Sequence, residues 1–309
     1  SSLMEKVIVV VGPTAVGKTA LSIELAKKYQ GEVISGDSMQ IYRGLDIGTA
    51  KVTAAEMQGI PHHLIDIRDS HESYSVAEFQ KEARELITAT HQRGHLPIVA
   101  GGTGLYIQAL LYDYQLGAAE ESDPSVRQRY QQEAARIGKE ALWQKLQVLD
   151  PLAAAKIHYN NERKVIRALE VLETTGISIA APTTAPEAVY DYFMIGLSTD
   201  RQLLYQRIDQ RVDQMVEAGL VAEAQQVLIH PETQAAKGIG YKEFAPYFAG
   251  TCSLEETVAQ IKQQSRRYAK RQLTWFKNRL APRWVDLVQH PEDVSSIEKA
   301  IDQWLEEKE

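Results

Sequence analysis

Five consecutive apolar residues, Val7-Ile8-Val9-Val10-Val11, predict a strand buried on both faces. A glycine-rich turn follows, and the spacing from Thr19 to Tyr29 predicts a helix. Further on, Glu32 to Ser35 and Pro61 to Ile67 read as strands, Val76 to His91 as an amphipathic helix, and Leu96 to Ala100 as another apolar strand. Strands alternating with helices predict a parallel sheet wrapped by helices.

From about Leu116 the strand signal fades. Ser122-Asp123-Pro124 reads as a helix start, and Ser125 to Ile137, Lys139 to Leu149 and Glu162 to Thr174 have helical periodicity. Gly176 ends the last of these, and Ala180 to Pro186 reads as a loop. A strand returns at Tyr192 to Leu197, then a helix from Arg201 to Glu217 with Gly219 past its end, then a long helix from Glu255 to about Leu280. The expected organisation is a discontinuous core over 4–115 and 190–288, a mostly helical insertion over 116–189, and a C-terminal helix within 289–309 whose acidic tail, Glu306 to Glu309, frays. No internal repeat or low-complexity tract is visible.

Composition narrows the class. The chain has 309 residues, 44% of them hydrophobic, enough for a sizeable core. No apolar run approaches the roughly 20 residues that cross a bilayer, and no signal-peptide pattern precedes the first strand, so a cytoplasmic protein without membrane contact is expected. Ser1-Ser2-Leu3, ahead of Met4, reads as an expression remnant. The single cysteine, Cys252, excludes an internal disulfide and fits a reducing compartment. His62 and His63 are adjacent in a predicted strand and point to opposite faces, so no metal site is expected there. The net charge of −7 conceals a run of cations, Lys262, Arg266, Arg267, Lys270, Arg271, Lys277, Arg279 and Arg283, with Tyr268, Trp275 and Phe276 interleaved. Such a run is either a nucleic-acid footprint or a solvated helix face.

The turn after the first strand carries the chemistry. Gly12-Pro13-Thr14-Ala15-Val16-Gly17-Lys18-Thr19 matches G-x-x-x-x-G-K-[ST] between a strand and a helix, the arrangement that cradles a polyphosphate. Gly12 and Gly17 allow successive amides to face phosphate oxygens, Lys18 adds a point charge, and Thr19 offers a hydroxyl to Mg²⁺. The fold expected is therefore α/β of the P-loop NTPase-like kind. Asp37, after the second strand, should lie beside this loop, as a metal support or a proton acceptor. An Asp-Ser pair that caps a helix is the plainer alternative. Ala100-Gly101-Gly102-Thr103-Gly104 follows a strand that ends without the acid many phosphate-loop enzymes place there, which turns the reading from ATP hydrolysis to departure of a diphosphate from carbon. Arg207 and Arg211 could steady that diphosphate, or could pair with Asp209 and Asp213 on their own helix.

Several motifs taken in order resemble the tRNA dimethylallyltransferases: Gly12 to Thr19, Asp37 to Tyr42, Asp46 to Lys51, His62 to Asp66, Gly101 to Tyr106, Arg163 to Val171, Gly238 to Glu243 and Tyr268 to Phe276. The resemblance covers nearly the whole chain. It implies transfer of a dimethylallyl group from its diphosphate to N6 of an adenosine next to the anticodon, with Mg²⁺ as cofactor; a monomer is the expected working form. By the matching motifs, Asp37 would be the general base, Thr103 would help hold the amine, and Arg211 would meet the diphosphate. Gly12, Thr14, Ala15, Val16, Gly17, Lys18 and Thr19 would bind the donor, with Thr19 near the metal. The tRNA anticodon stem-loop would meet Asp37, Ser38, Met39, Gln40 and Thr103, then Arg127, Arg163, Lys164 and Arg167 in the insertion. Lys237, Gly240, Tyr241, Lys242, Arg267, Lys270 and Arg271 complete the expected RNA surface. Without the zinc module of some longer eukaryotic relatives, the bacterial type is the expected match. The alternatives are an adenylate isopentenyltransferase acting on free AMP or ATP, a phosphate-loop kinase, and an RNA-binding protein that keeps the loop as scaffold.

Overall fold

The computed structural model describes residues 4–113, 122–181 and 187–307. Two compact units compose the chain, Ser1–Leu111 with Val189–Glu309, and Tyr112–Ala188. The start of the helical insertion expected at Leu116 lies outside the described residues, as do 182–186 of the expected loop and Ser1 to Leu3, Lys308 and Glu309 at the ends.

In the first unit the elements run β1 (Lys6–Val11), α1 (Lys18–Tyr29), β2 (Gly31–Ser35), α2 (Ala54–Met57), β3 (His62–His63), α3 (Val76–Gln92), β4 (Leu96–Gly101) and α4 (Gly104–Leu111). The second unit holds α5 (Pro124–Ile137), α6 (Lys139–Leu149), α7 (Pro151–Lys156) and α8 (Glu162–Thr175). The first unit resumes with β5 (Asp191–Leu197), α9 (Arg201–Ala218), α10 (Leu220–Val227), α11 (Ala245–Phe248), α12 (Leu254–Arg279), β6 (Arg283–Val285) and α13 (Val294–Glu306).

The strands form one parallel sheet in the order β3-β2-β4-β1-β5-β6. β1 is central, with Ile8 opposite Ile98 on one side and Phe193 on the other, so its five apolar residues are fully buried. Parallel strands covered on both faces need continuous apolar runs, which is why β1 was legible. The chain re-enters the first unit where it left it, since the Val189 amide donates to the Leu111 carbonyl at 2.8 Å.

Two edges depart from the expected pattern. Pro61 to Ile67 yields only the two-residue β3, because Leu64 (φ 63°) and Asp66 (φ 56°) turn the backbone away. The amides of Asp66 and Ile67 instead reach the carbonyls of Gln40 (3.2 Å) and Ile41 (2.7 Å). β6 is three residues long, too short to show a period. α13 is not a separate appendage: Ile297, Ile301 and Trp304 pack into the core against Phe193, and the Trp304 indole donates to Asp191 at 2.9 Å.

The second unit has its own core, with Leu142, Leu146, Val165, Ala168 and Leu169 buried. Asp123 caps α5 through the amides of Ser125 (3.0 Å) and Val126 (3.4 Å), so the Ser-Asp-Pro signal marks a real helix start.

Candidate active site

β1 ends at Val11 and the chain turns through Gly12, Ala15 (φ 69°) and Gly17 (φ 98°) into α1. At Gly12 a Cβ would sit 2.6 Å from the Leu197 carbonyl, so the turn can lie on β5 only without a side chain. Gly17 begins α1 with no side-chain cap, and the first turn holds no acid. Among the described residues no side chain caps the first amides of α1, which leaves a concentrated positive end suited to an anion.

Arg207 and Arg211 of α9 lean on this loop. Arg207 Nε donates to the Ala15 carbonyl at 2.8 Å, and Arg211 Nη1 donates to Thr14 Oγ1 at 3.0 Å. Same-helix pairing does not occur, because α12 takes the acids: Arg266 bonds Asp209 at 2.6 Å and Lys262 bonds Asp213 at 2.8 Å. Burial, and then the neighbouring Arg207 charge, lowers the pKa of Arg211. A half-buried cation beside another cation is a site that gains by taking up an anion.

The second strand delivers Asp37 next to the loop. Its Oδ1 accepts from the Gly102 amide at 2.7 Å and stands 3.6 Å from Lys18 Nζ. Asp37 therefore does not cap a helix; it joins two loops, while its Oδ2 makes no hydrogen bond among the described residues. The Ser38 amide donates to Thr103 Oγ1 at 3.1 Å, and Gln272 Nε2 of α12 donates to the Gly102 carbonyl at 2.8 Å. A Cβ on Gly102 would lie 2.2 Å from Gln272 Nε2 and 3.1 Å from Lys18 Nζ, so the glycine is what brings β4 against the phosphate loop. Gln40 is turned inward. Its Oε1 accepts from Ser35 Oγ at 3.1 Å and its Nε2 donates to the Thr49 carbonyl at 3.3 Å.

Around these groups lies a cavity of about 650 Å³. Thr14, Ala15, Gly17, Lys18, Thr19 and Arg211 line it, together with Asp37, Ser38, Met39, Gln40 and Thr103. Lys237, Gly240, Tyr241, Tyr268, Arg271 and Gln272 also contribute. Val16 is buried, and neither it nor Gly12 lines the cavity.

The predicted RNA residues divide. Arg267, Lys270 and Arg271 are exposed on α12, with the Arg271 guanidinium 5.6 Å from the Tyr268 ring centre. Lys237 and Lys242 are exposed, as are Arg163 and Lys164 at the start of α8. Arg127 and Arg167 instead grip the fully buried Glu170, each with a bond at 3.1 Å, and the Asp123 amide adds another at 2.8 Å. Burial opposes the charge on Glu170, but these donors hold its pKa below the usual carboxylate value. Tyr241 is fully buried and donates to Glu223 at 2.7 Å, while Gly240 donates to Glu243 at 2.8 Å. Tyr241, Arg127 and Arg167 thus each carry an intramolecular bond, and the two arginine side chains stay partly exposed. Tyr268, Gln272 and Glu223 were missed as site residues; only the four-residue step from Tyr268 to Gln272, on one helical face, hinted at them. His62 and His63 serve structure too, bonding the Ile60 carbonyl (2.8 Å) and Glu32 (2.7 Å).

A parallel sheet, a phosphate loop at its carboxyl edge and a facing carboxylate define a phosphate-loop protein of the α/β class. The family model described as IPP transferase matches residues 40–279, and the chain belongs to that family. A curated tRNA dimethylallyltransferase of Enterococcus faecalis is 61% identical over 307 residues, covering 99% of each chain. The crystal structure of a tRNA isopentenylpyrophosphate transferase from Bacillus halodurans is similar with a TM-score of 0.74 and 49% identity, covering 98% of this chain and 97% of that one. A eukaryotic dimethylallyltransferase described as acting on tRNA is similar with a TM-score of 0.73 and 31% identity, covering 96% and 78%.

Proposed function

We propose that this protein transfers the dimethylallyl group of dimethylallyl diphosphate to N6 of the adenosine next to the anticodon in tRNA, releasing diphosphate. The single observation that carries the reading is one cavity lined both by the phosphate loop with Arg211 and by Asp37 with Thr103. Family membership and full-length similarity to tRNA dimethylallyltransferases support it.

In the reaction a bond forms between N6 and the allylic carbon while the carbon–oxygen bond to diphosphate breaks, its electron pair leaving on oxygen. Lys18, Arg211 and the amides of α1 neutralise the charge growing on that oxygen. Asp37 keeps Oδ1 on the Gly102 amide and takes the amine proton on Oδ2. Thr103, held by the Ser38 amide, orients the amine. Since a stacked loop base cannot reach these groups, the adenosine is extruded into the cavity.

Thr19 lines the cavity and its hydroxyl is a hard oxygen donor of the kind Mg²⁺ takes, so it would be the residue that holds the cation. Mg²⁺ held there would supply further neutralisation of the leaving group. The exposed cations of α12, with Arg163 and Lys164, are the expected phosphate contacts. Action in the cytoplasm as a monomer belongs to the same reading. Among the described residues no helix is long and apolar enough to cross a membrane.

The test incubates the protein with dimethylallyl diphosphate, Mg²⁺ and either an unmodified anticodon stem-loop or AMP, with nucleoside mass spectrometry as readout. Prenylated adenosine in the stem-loop alone is expected. Modification of AMP alone would replace the reading with that of an adenylate isopentenyltransferase.

A further inference from the structure

One wall of the cavity, formed by Gly48, Thr49 and Ala50, is irregular backbone, yet it is held by a side chain from a distant helix. Glu223 of α10 accepts at Oε1 from the amides of Asp46 (2.9 Å) and Ile47 (3.0 Å), and at Oε2 from Ile47 (3.1 Å) and Gly48 (2.8 Å). Three successive amides converging on one carboxylate make an anion nest occupied by the protein itself. Bonds to an ionised acceptor are stronger than neutral ones, so this turn is set rather than merely allowed.

Tyr241 completes the arrangement. Its hydroxyl donates to Glu223 Oε2 at 2.7 Å, and its ring fills the place of a side chain at Gly48, where a Cβ would lie 2.6 Å from the phenol. Burial and the Glu223 charge push the phenol pKa up, which keeps the hydroxyl a donor. From the nest the connection runs on to Gln40, whose amide donates to the Thr49 carbonyl at 3.3 Å, and so to the segment that begins at Asp37.

We infer that Glu223, seconded by Tyr241, is a positioning residue that fixes residues 46–50 and, through Thr49 and Gln40, the wall against which the acceptor base is seated. The acceptor part of this inference rests on the function proposed above. Neither side chain touches the reacting atoms; both act through backbone.

Glu223→Gln and Tyr241→Phe in the full chain test it. Hydrogen exchange at the amides of 46–48 should rise at least tenfold in Glu223→Gln, with β1 and the phosphate loop unchanged. In steady-state prenyl transfer the KM for the stem-loop should rise about tenfold, while the KM for dimethylallyl diphosphate stays within about twofold. Tyr241→Phe should show the same split, smaller. Unchanged exchange at 46–48 overturns the inference, and so does an equal rise of both KM values accompanied by a lowered melting temperature. Because the exchange measurement needs no turnover, it decides the backbone role whatever the acceptor proves to be.

Discussion

Asp37 shows how much of a residue's role depends on what lies across from it. Its place after a strand, in an open parallel sheet, put it beside the phosphate loop, but helix capping was equally compatible with the sequence. The Gly102 amide decides between them by occupying one carboxylate oxygen and leaving the other for a proton. Asp37→Asn keeps the shape and removes the base, so turnover should fall by about 10²- to 10⁴-fold while stem-loop affinity is retained; single-turnover transfer and filter binding measure the two. Equal loss of both would make Asp37 structural. Arg211 is the matching case on the donor side. Arg211→Gln is expected to raise the KM for dimethylallyl diphosphate at least about tenfold and to spare stem-loop binding, measured by initial rates at saturating acceptor. Neither arginine's direction could be read along α9, because Asp209 and Asp213 lie on the same helix and were available in sequence. They are drawn off only where α12 brings Arg266 and Lys262 to them.

Among the elements, α12 divides its cations by face. Lys262 and Arg266 turn inward to acids, whereas Arg267 and Lys270 stay exposed. Arg267→Ala and Lys270→Ala should each lower the slope of log K against log salt for stem-loop binding by roughly 0.7–0.9, the mark of one lost phosphate contact. Arg266→Ala should leave the slope unaltered and cost stability under about 1 kcal/mol, since its partly exposed pair is screened by water. A titration from low to moderate salt separates the two. β3 carries the complementary lesson. An apolar run at a sheet edge is bonded on one side only, so backbone partners at Gln40 and Ile41 could draw Asp66 and Ile67 out of the ladder. Periodicity reports which faces are apolar, not which neighbour will claim the amides.

For the whole molecule, Glu32 of β2 is one carboxylate that ties stability to acid pH. Glu32 is nearly buried and meets Arg93 at 2.7 and 2.9 Å, His63 at 2.7 Å and His95 at 2.6 Å. The Arg93 bonds, against the cost of burial and with help from both histidines, hold its pKa down at about 2. A carboxylate depressed on folding contributes fully above its unfolded value near 4.3 and loses that contribution as pH falls towards 2. Glu32→Gln should remove about 3 kcal/mol at neutral pH and flatten the acid side of the melting profile between pH 5 and about 2.5. A variant whose curve runs parallel to the parent would refute this. The close return at Leu111 and Val189 suggests a second experiment at this scale. Replacing 112–188 by a short linker should leave a first unit that melts cooperatively, measured by calorimetry, because the cluster around Ile8, Phe193 and Trp304 is built from residues of that unit.

The sequence by itself determined the phosphate loop, the central strand, the helical character of the insertion and the family resemblance. Each is carried by contiguous residues whose backbone needs or apolar runs are local. Tertiary structure alone decided which cations stay exposed, that the Tyr241 hydroxyl bonds Glu223, and that Arg127 and Arg167 hold Glu170. Those outcomes depend on partners far apart in the chain, and a charge or hydroxyl carries no mark of its partner until packing brings the two within hydrogen-bond reach.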